Sequence, residues 1–182
     1  MKATGIVRRI DDLGRVVVPK EIRRTLRIRE GDPLEIFTDR EGEIILKKYS
    51  PIGEMSLFAK QYADSLGQVS GCTVCITDRD QVIAAAGSGK KELIEHSVSR
   101  QLESLMTERE TLSAVKESKN FIPIVNDQQE DYTAQVIYPV ICEGDVIGSV
   151  ILLSKEQRAQ MGETEQKLAG VAAGFLGRQM ES

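Results

Sequence analysis

Arginines are the side chains with the clearest chemistry in this sequence, and they are concentrated near its start. Residues 1–29 contain nine lysines and arginines against three aspartates and glutamates. A guanidinium group binds a phosphate, or the edge of a guanine, through two parallel hydrogen bonds, which a lysine ammonium does not offer. The arginines of this segment are Arg8, Arg9, Arg15, Arg23, Arg24, Arg27 and Arg29. Their type and density indicate a partner that is rich in phosphate.

The two parts of the chain differ in charge. Residues 1–50 contain 12 basic and 9 acidic side chains, whereas residues 51–182 contain 12 basic and 19 acidic ones. A basic head on an acidic body indicates that only the head meets a polyanion, although composition alone also allows a solvated surface patch. Because the chain has no Trp, four Phe and four Tyr, stacking of bases on aromatic rings is not expected.

Cys72 and Cys75 form a C-x-x-C pair, which in other settings binds zinc or does redox chemistry. A second such pair is missing, His96 is the single histidine, and Cys142 is distant in sequence. The segment around the pair reads as a strand, in which positions three apart point to opposite faces. We therefore interpret these cysteines as core residues, and no metal site is expected.

The sequence also lacks a recognisable catalytic set. The segment AGSGKKE at 86–92 is not a phosphate loop, because Ala84 and Lys91 stand where that motif needs Gly and Ser or Thr. A Ser-His-Asp arrangement with a nucleophile elbow is not visible. The acidic residues Asp78 and Asp80 fall in a predicted turn, where solvation is the simpler interpretation. We expect neither an enzyme nor a cofactor.

Short strands and one short helix must hold the arginines of the head. The segments GIVRRI and GRVVVP predict two strands separated by a DDLG turn. Pro19 suits the first turn of a helix, and this helix carries Arg23 and Arg24. The segments PLEIFTD and EIILKKYS predict two more strands joined by a glycine-containing loop. Because no second helix follows the first, a helix-turn-helix is excluded.

The predicted head is too small to be stable as one chain. At about 50 residues it lies near the size at which a single hydrophobic core no longer offsets the entropy of folding. It contains no cysteine for a disulfide and no His-Cys set for zinc. Its apolar residues that need burial are Val16, Val17, Val18, Leu34, Ile36, Ile44, Ile45 and Leu46. We therefore expect an obligate homodimer through residues 1–50, with a monomeric small barrel as the alternative.

The segment SPIG, after Tyr49, predicts a domain boundary. We expect a head at 1–50, a linker at 51–55 and a body at 56–182. Apolar residues at helical spacing predict helices at 53–67, 90–108 and 156–180. Strands are predicted for the segments CTVCITD, QVIAAAG, NFIPIV, TAQVIYPVIC and DVIGSVILLS. Together these elements indicate an α+β fold in which helices flank an antiparallel sheet.

The last predicted helix contains small residues at Gly170 and Gly174, four positions apart. Small residues at this spacing let a helix approach another backbone closely. The helix therefore packs either on the sheet of its own chain or on its copy in another chain, and the sequence leaves both alternatives open.

The stretch ATGIVRRIDDLGRVVVPKEIRRTLRIREGDPLEIF, continued by EGEIILKKYSP, resembles the DNA-binding head of the AbrB-like transition-state regulators over roughly residues 3–51. The resemblance implies a swapped-hairpin fold, in which two chains interleave their strands into one barrel. It also implies the DNA-contacting residues, which are Arg8, Arg15, Arg23 and Arg24, with Arg9 where relatives often carry a basic residue. The MazE-type antitoxins share this fold, but they usually end in a disordered toxin-binding tail.

The segment AQVIYPVICEGDVIGSVILLS resembles the strand-turn-strand pattern of GAF domains. GAF relatives often bind small molecules, which implies a pocket over the sheet near 78–92 and 119–133. The cyclic-nucleotide pattern N-K-x-x-x-F-x-x-x-D-E is absent, since Phe121 rather than Lys follows Asn120. The resemblance leaves the ligand open, and it is also compatible with a domain that only oligomerises.

An AbrB-like head joined to a GAF-like body resembles the regulators of sporulation in spore-forming bacteria. The resemblance implies a transcription regulator that activates and represses genes expressed late in the forespore, with paired heads on double-stranded DNA and bodies joined into homotetramers. Since no apolar run is long enough to cross a bilayer, no membrane association is expected. Three cysteines and no signal peptide indicate a cytoplasmic, nucleoid-associated protein. The alternative is an antitoxin-like module that binds a protein partner.

Overall fold

The computed structural model describes residues 5–128, 131–157 and 161–181. The chain forms two compact units, Met1–Tyr49 and Ser50–Ser182, which are called the head and the body below. The division lies one residue before the boundary expected from the sequence. Helices and strands occur in both units, and the predicted α+β class is confirmed. Among the described residues, no helix is both long enough and apolar enough to cross a membrane.

The head contains one helix and one β-hairpin. Helix α1 comprises Lys20–Thr25, strand β1 comprises Leu34–Thr38 and strand β2 comprises Ile44–Lys48. The two strands pair antiparallel. Asp39 organises the turn between them, because one of its carboxylate oxygens accepts hydrogen bonds from the backbone N–H groups of Glu41 and Glu43, as is typical of aspartate in turns. The predicted helix and the two strands that follow it are confirmed.

The first part of the head differs from the prediction. Segments 5–10 and 14–19 belong to no helix or strand in the described part of the single chain. Their apolar side chains are exposed, Val7 by 87% and Val17 by 71%. A strand forms when a neighbouring strand takes up its backbone hydrogen bonds, and the described residues of one chain supply no such neighbour here. The prediction of two strands is therefore wrong for the isolated chain.

The body is built on a five-stranded antiparallel sheet in the order β4-β3-β7-β6-β5. Its strands are β3 (Thr73–Asp78), β4 (Val82–Ala86), β5 (Leu112–Val115), β6 (Ala134–Cys142) and β7 (Asp145–Ser154). The predicted hairpins β3–β4 and β6–β7 are confirmed. Glu143 and Gly144 connect β6 to β7 with φ values of 48° and 88°, which fit the right-handed twist of a tight hairpin.

Helices cover both faces of this sheet. They are α2 (Pro51–Glu54), α3 (Ser56–Ser70), α4 (Arg100–Thr107) and α5 (Glu163–Gln179). Side chains of α3 and α5 pack on one face, where Val74 and Ile76 of β3 point. Side chains of α4 pack on the other face, where Cys75 points. This alternation along one strand divides the body into two hydrophobic cores.

Two of the predicted body helices begin later than expected. The predicted helix at 90–108 is a single 3-10 turn, Lys90–Glu92, followed after a gap by α4. Glu95 has a φ of 63°, which no α-helix tolerates, and the Ser99 hydroxyl caps α4 by accepting a hydrogen bond from Leu102 N–H. The helix predicted at 156–180 comprises Glu163–Gln179. Residues 158–160 of that prediction lie outside the described residues.

The strand predicted for NFIPIV at 120–125 is wrong, and the outer strand of the sheet is β5. The backbone of this segment is bound by an isolated bridge between Val98 and Val125 and by side chains. The carboxamide of Gln135, oriented to satisfy both of its groups, donates to Ile122 O at 2.9 Å and accepts from Ile122 N–H at 2.8 Å. Gln128 Oε1 accepts from Ile124 N–H at 2.7 Å. These bonds fold the segment over the sheet rather than into it.

The small residues of α5 pack against strand β6 of the same chain. A Cβ added at Gly177 would lie 2.1 Å from the Ile141 carbonyl oxygen, and one at Gly170 would lie 3.1 Å from the Tyr138 ring. Gly174, in contrast, has no atom within 4 Å of such a Cβ. Packing on the chain's own sheet is therefore confirmed for Gly170 and Gly177, whereas the face of α5 that includes Gly174 is open.

Candidate nucleic-acid interface

Arg15 is held in a turn that Asp11 builds. One carboxylate oxygen of Asp11 accepts hydrogen bonds from the backbone N–H groups of Leu13 and Arg15 at 3.0 and 2.8 Å. The other oxygen accepts from Arg15 Nε at 2.8 Å. The pKa of Asp11 is lowered from its ordinary value, chiefly by the backbone N–H of Arg15 and then by its guanidinium, because both stabilise the charged carboxylate. Only Nε of Arg15 is used, so the terminal nitrogens can bind a phosphate.

Pro19 directs the chain into α1. Its φ of −57° and ψ of 148° make it the residue before the helix rather than part of the first turn, one position from the prediction. Glu21 lies in the first turn and Arg23 and Arg24 in the last, an arrangement that matches the helix dipole. Arg24 is exposed and Arg23 is half-buried. No residue of α1 is fully buried, but Nε of Arg23 is buried and has no hydrogen-bond partner among the described residues.

A lysine and an aspartate fix the end of α1 to strand β2. Lys48 Nζ donates to the carbonyl oxygen of Arg27 at 2.8 Å and lies 3.4 Å from Asp32 Oδ2. The same carboxylate oxygen accepts from Arg29 N–H at 2.8 Å, and the Asp32 side chain is 4% exposed. A carboxylate this buried needs charged partners, and Lys48 and Arg29 provide them. We call Asp32, Lys48 and the Arg27 carbonyl the α1 clamp.

The predicted site residues occupy three places in the head. Arg8 and Arg9 lie in the segment before the Asp11 turn, Arg15 lies within that turn, and Arg23 and Arg24 are neighbours on α1. Within the described residues, Arg15 pairs with Asp11. The other predicted arginines form no ion pair in that part of the chain; they are Arg8, Arg9, Arg23 and Arg24. The arrangement offers cationic groups to an anionic partner and no acid, base or nucleophile for a reaction.

Sequence reasoning missed both devices that orient the arginines. The sequence predicts the DDLG turn but not the role of Asp11 in holding Arg15, although aspartate is known to bond the backbone two residues on. The α1 clamp joins residues of the helix end to Lys48 across the fold. A contact between residues so far apart in sequence cannot be predicted from a local sequence pattern.

Cysteine and aspartate side chains of the body that were considered for chemistry lie in its cores and turns. Cys72 packs beside the first core and Cys75 lies in the second, on opposite sides of the sheet. Burial raises the pKa of both thiols, which favours the neutral thiol over the thiolate. Asp78 accepts hydrogen bonds from the Ser50 hydroxyl and from two backbone N–H groups of its own hairpin. Among the described residues, no three His, Cys, Asp or Glu side chains gather to hold a metal ion.

The region where the sequence placed a ligand pocket is tied down by several hydrogen bonds. Besides the bonds from Gln135 and Gln128, the Ser99 hydroxyl donates to the Pro123 carbonyl oxygen at 2.5 Å. Ile124 and Val125 are fully buried on the α4 side of the sheet. A bound small molecule stays a prediction for this region.

Comparisons with known proteins divide the chain at residue 54, a few residues after the boundary between the two units. Residues 54–181 match the family model described as stage V sporulation protein T C-terminal, transcription factor. Residues 7–54 match the model described as antidote-toxin recognition MazE, bacterial antitoxin. Stage V sporulation protein T of Bacillus subtilis (strain 168) is 56% identical over 181 residues, which cover 100% of this chain and 99% of that protein.

Two further relatives each resemble one unit. Transition state regulatory protein AbrB of Bacillus subtilis (strain 168) is 67% identical over 51 residues, or 28% of this chain and 52% of that protein. The GAF domain from an Acinetobacter phosphoenolpyruvate-protein phosphotransferase is 14% identical, with a TM-score of 0.57, over 74% of this chain and 84% of that structure. The latter likeness shows that the body has a GAF-like fold.

Proposed function

The chain belongs to the stage V sporulation protein T family of transcription factors, and we propose that its heads pair to bind double-stranded DNA while its bodies join the pairs into tetramers. The observation that carries this proposal is the set of outward-facing arginines of the head. Guanidinium groups are suited to the phosphates of a duplex. Arg8, Arg9 and Arg24 are exposed and form no ion pair within the described residues, and Arg15 binds Asp11 through Nε.

The contacting residues that we propose are Arg8, Arg9, Arg15, Arg23 and Arg24. The turn fixes the backbone of Arg15, and the helix fixes the backbones of Arg23 and Arg24. Binding therefore costs less conformational entropy at these residues than at residues of a flexible segment. Contacts of this kind fix a protein on DNA, and sequence preference then comes from a few base contacts and from DNA shape. Six phosphate contacts would weaken binding roughly 10³-fold between about 50 and 200 mM salt.

Pairing of the heads follows from their exposed apolar residues. The side chains of Val7, Val17, Ile36 and Ile44 are all more than half exposed in one chain. Large apolar side chains exposed in this number support a protein–protein interface. Segments 5–10 and 14–19 also need neighbouring strands, which a second copy supplies by interleaving. One pair then presents every arginine twice, on a surface with two-fold symmetry.

Joining of the bodies rests on a second apolar surface, formed by α3 and α5. The rings of Phe58, Tyr62 and Phe175 lie 5.6–6.2 Å apart there. Val69 and Val171 are exposed by 78% and 67% on the same two helices. A helix pair from a second body covers this surface, and a tetramer that engages two DNA sites gains avidity. The V171D variant is expected to sediment as a head-linked dimer that still binds DNA.

The biological role that we propose is control of sporulation genes late in the forespore, as activator and as repressor, by a nucleoid-associated cytoplasmic protein. Full-length identity of 56% to the Bacillus subtilis regulator supports this role. The body is proposed to oligomerise and, through its GAF-like fold, to respond to a small molecule.

A second candidate function is that of an antitoxin-like module, which the match of residues 7–54 to the MazE model favours. In that case a small toxin protein would co-purify with the chain. The 67% identity to AbrB over the same part of the chain favours DNA binding instead.

Arginine substitutions test the DNA-binding surface. We expect R15A and R24A to weaken binding of a DNA duplex on the order of tenfold each while the oligomer stays intact in sedimentation. R178A removes the same charge from the exposed end of α5 and is expected to leave the affinity unchanged. If both head variants bind DNA as tightly as the parent chain, the proposed surface is wrong.

A further inference from the structure

Helix α1 ends in a conformation that disfavours the residue found there. Ile28 N–H donates to Arg23 O at 2.8 Å and Arg27 N–H donates to Arg24 O at 3.4 Å. This pair of bonds defines a Schellman motif, in which the residue at position 27 adopts a left-handed backbone. Arg27 indeed has a φ of 53°. Glycine is strongly preferred at this position, because any Cβ crowds the neighbouring carbonyl oxygen.

The α1 clamp holds Arg27 in this conformation. The carbonyl oxygen of Arg27 itself accepts the hydrogen bond from Lys48 Nζ, at 2.8 Å. The buried side chain of Asp32 lies 3.4 Å from the same ammonium. Surrounding structure thus fixes a backbone that arginine alone would avoid, which is how strain persists at functional positions.

The clamp also removes an electrostatic obstacle. The carbonyl groups at the C-terminal end of a helix carry a partial negative charge, which repels phosphate. Lys48 neutralises this charge directly at the Arg27 carbonyl. The Arg27 side chain is exposed and forms no ion pair within the described residues. Its backbone is hydrogen-bonded to Arg24, so Arg27 is anchored at the end of the helix that carries Arg23 and Arg24.

We propose that Arg27 is a further phosphate-contacting residue of the DNA-binding surface, held at the strained end of α1 by Lys48 and Asp32. This inference rests on the proposed DNA-binding function and adds one residue to its surface. Glycine would adopt the left-handed backbone at position 27 with less strain than arginine. A DNA contact explains why position 27 is nevertheless an arginine.

The R27G variant separates the structural role of residue 27 from its proposed contact with phosphate. Glycine relieves the strained backbone, and it also removes the positive charge. We expect the full-length variant to bind a long mixed-sequence duplex on the order of tenfold more weakly. The slope of log affinity against log salt concentration should become shallower by about 0.9 for each phosphate that the variant no longer binds. Hydrogen exchange at the Ile28 amide should be as slow as in the parent chain or slower, since the helix end is relieved. R27K should restore the salt slope, because a phosphate contact needs a charge.

Two controls make the result decisive. R40A removes one positive charge from the turn between β1 and β2 and is expected to change affinity less than twofold, a small effect for a charge outside the contact surface. If R40A weakened DNA binding as much as R27G does, the loss of net charge alone would explain the effect of R27G, and the inference would be overturned. Unchanged affinity of R27G, or faster exchange at Ile28 together with weaker binding, would also overturn it. In those cases weakened binding by R24A shows that the proposed function itself stands, whereas unchanged binding by R24A shows that it fails.

Discussion

The head and the body contain similar apolar residues but bury them to different extents within one chain. In the body, β3 is buried along its whole length and both faces of the sheet are covered. In the described part of the head, Pro19 is the only apolar residue that is buried. The body therefore has a complete core within one chain, whereas the apolar residues of the head stay exposed, as expected if a second chain covers them.

The difference bears on function. A unit that is complete in one chain can serve as a sensor or a connector by itself. If the head is complete only as a pair, as we propose, the partner orders the segment around Arg8 and Arg9, whereas Asp11 holds Arg15 within one chain. In that case DNA binding is coupled to pairing, and the two-fold symmetry of the protein matches two-fold DNA sites.

The largest change in stability is expected when a larger residue replaces a tightly packed glycine of the body. A Cβ added at Gly148 on β7 would lie 1.9 Å from the Thr77 carbonyl oxygen and 2.7 Å from Ile52 Cδ1. Because the neighbouring backbone cannot move that far, G148V should lower the free energy of unfolding of the body by about 3 kcal/mol or more. Chemical denaturation of the full chain measures this change.

A matched variant on α5 provides the control. Gly174 has open space around its Cβ position, so G174A should raise the stability by about 0.5–1 kcal/mol through its helix propensity. Equal stability of the two variants would contradict the tight packing of β7 in a self-contained body.

A charge in the head should have the next largest effect. Val17 is 71% exposed in one chain, so an isolated head would tolerate V17D with almost no change. If a second copy covers Val17, the buried carboxylate should cost roughly 2–3 kcal/mol, and the head pairs should dissociate in sedimentation equilibrium. The test uses the V171D background, in which the heads alone hold two chains together: V171D should sediment as a dimer, and the V17D/V171D double variant as a monomer. Unaltered pairing of V17D would show that the head does not need its partner there.

The smallest effect concerns the turn that holds Arg15. The pKa of Asp11 lies below its ordinary value of 3.8. The stabilisation of the turn is therefore fully present above that value and is lost as the pH falls through the lower pKa of the folded state. An NMR titration of Asp11 should give a midpoint below 3.8, and R15A should move it upward. A midpoint at the ordinary value would show that the turn is not formed in solution.

Some elements were predictable because local chemistry decides them. The β6–β7 hairpin combines two apolar runs with a Glu-Gly turn, and the positive φ values of Glu143 and Gly144 meet that expectation. Helix α1 follows from Pro19 and the apolar spacing of Ile22 and Leu26. The site residues Arg8, Arg9, Arg15, Arg23 and Arg24 come from the family resemblance and stay a prediction, since residue type alone indicates only a partner rich in phosphate.

Other elements were decided by contacts that are distant in sequence. The apolar run at 120–125 has the composition of a strand, but the side chain of Gln135 takes up the backbone of Ile122. The predicted helix at 90–108 is interrupted at Glu95 and restarted by the Ser99 cap. The α1 clamp depends on Lys48, whose role appears only once β2 lies beside the end of α1.

Hydrogen exchange of the full-length protein tests most directly whether two chains complete the head. We predict that the backbone amides at 6–10 and 16–18 are strongly protected at concentrations at which the protein binds DNA, because strands of a second copy bind them. Protection should fall when dilution or V17D separates the heads. Exchange of these amides at the rate of an unstructured segment, in a protein that still binds DNA, would contradict an interleaved head.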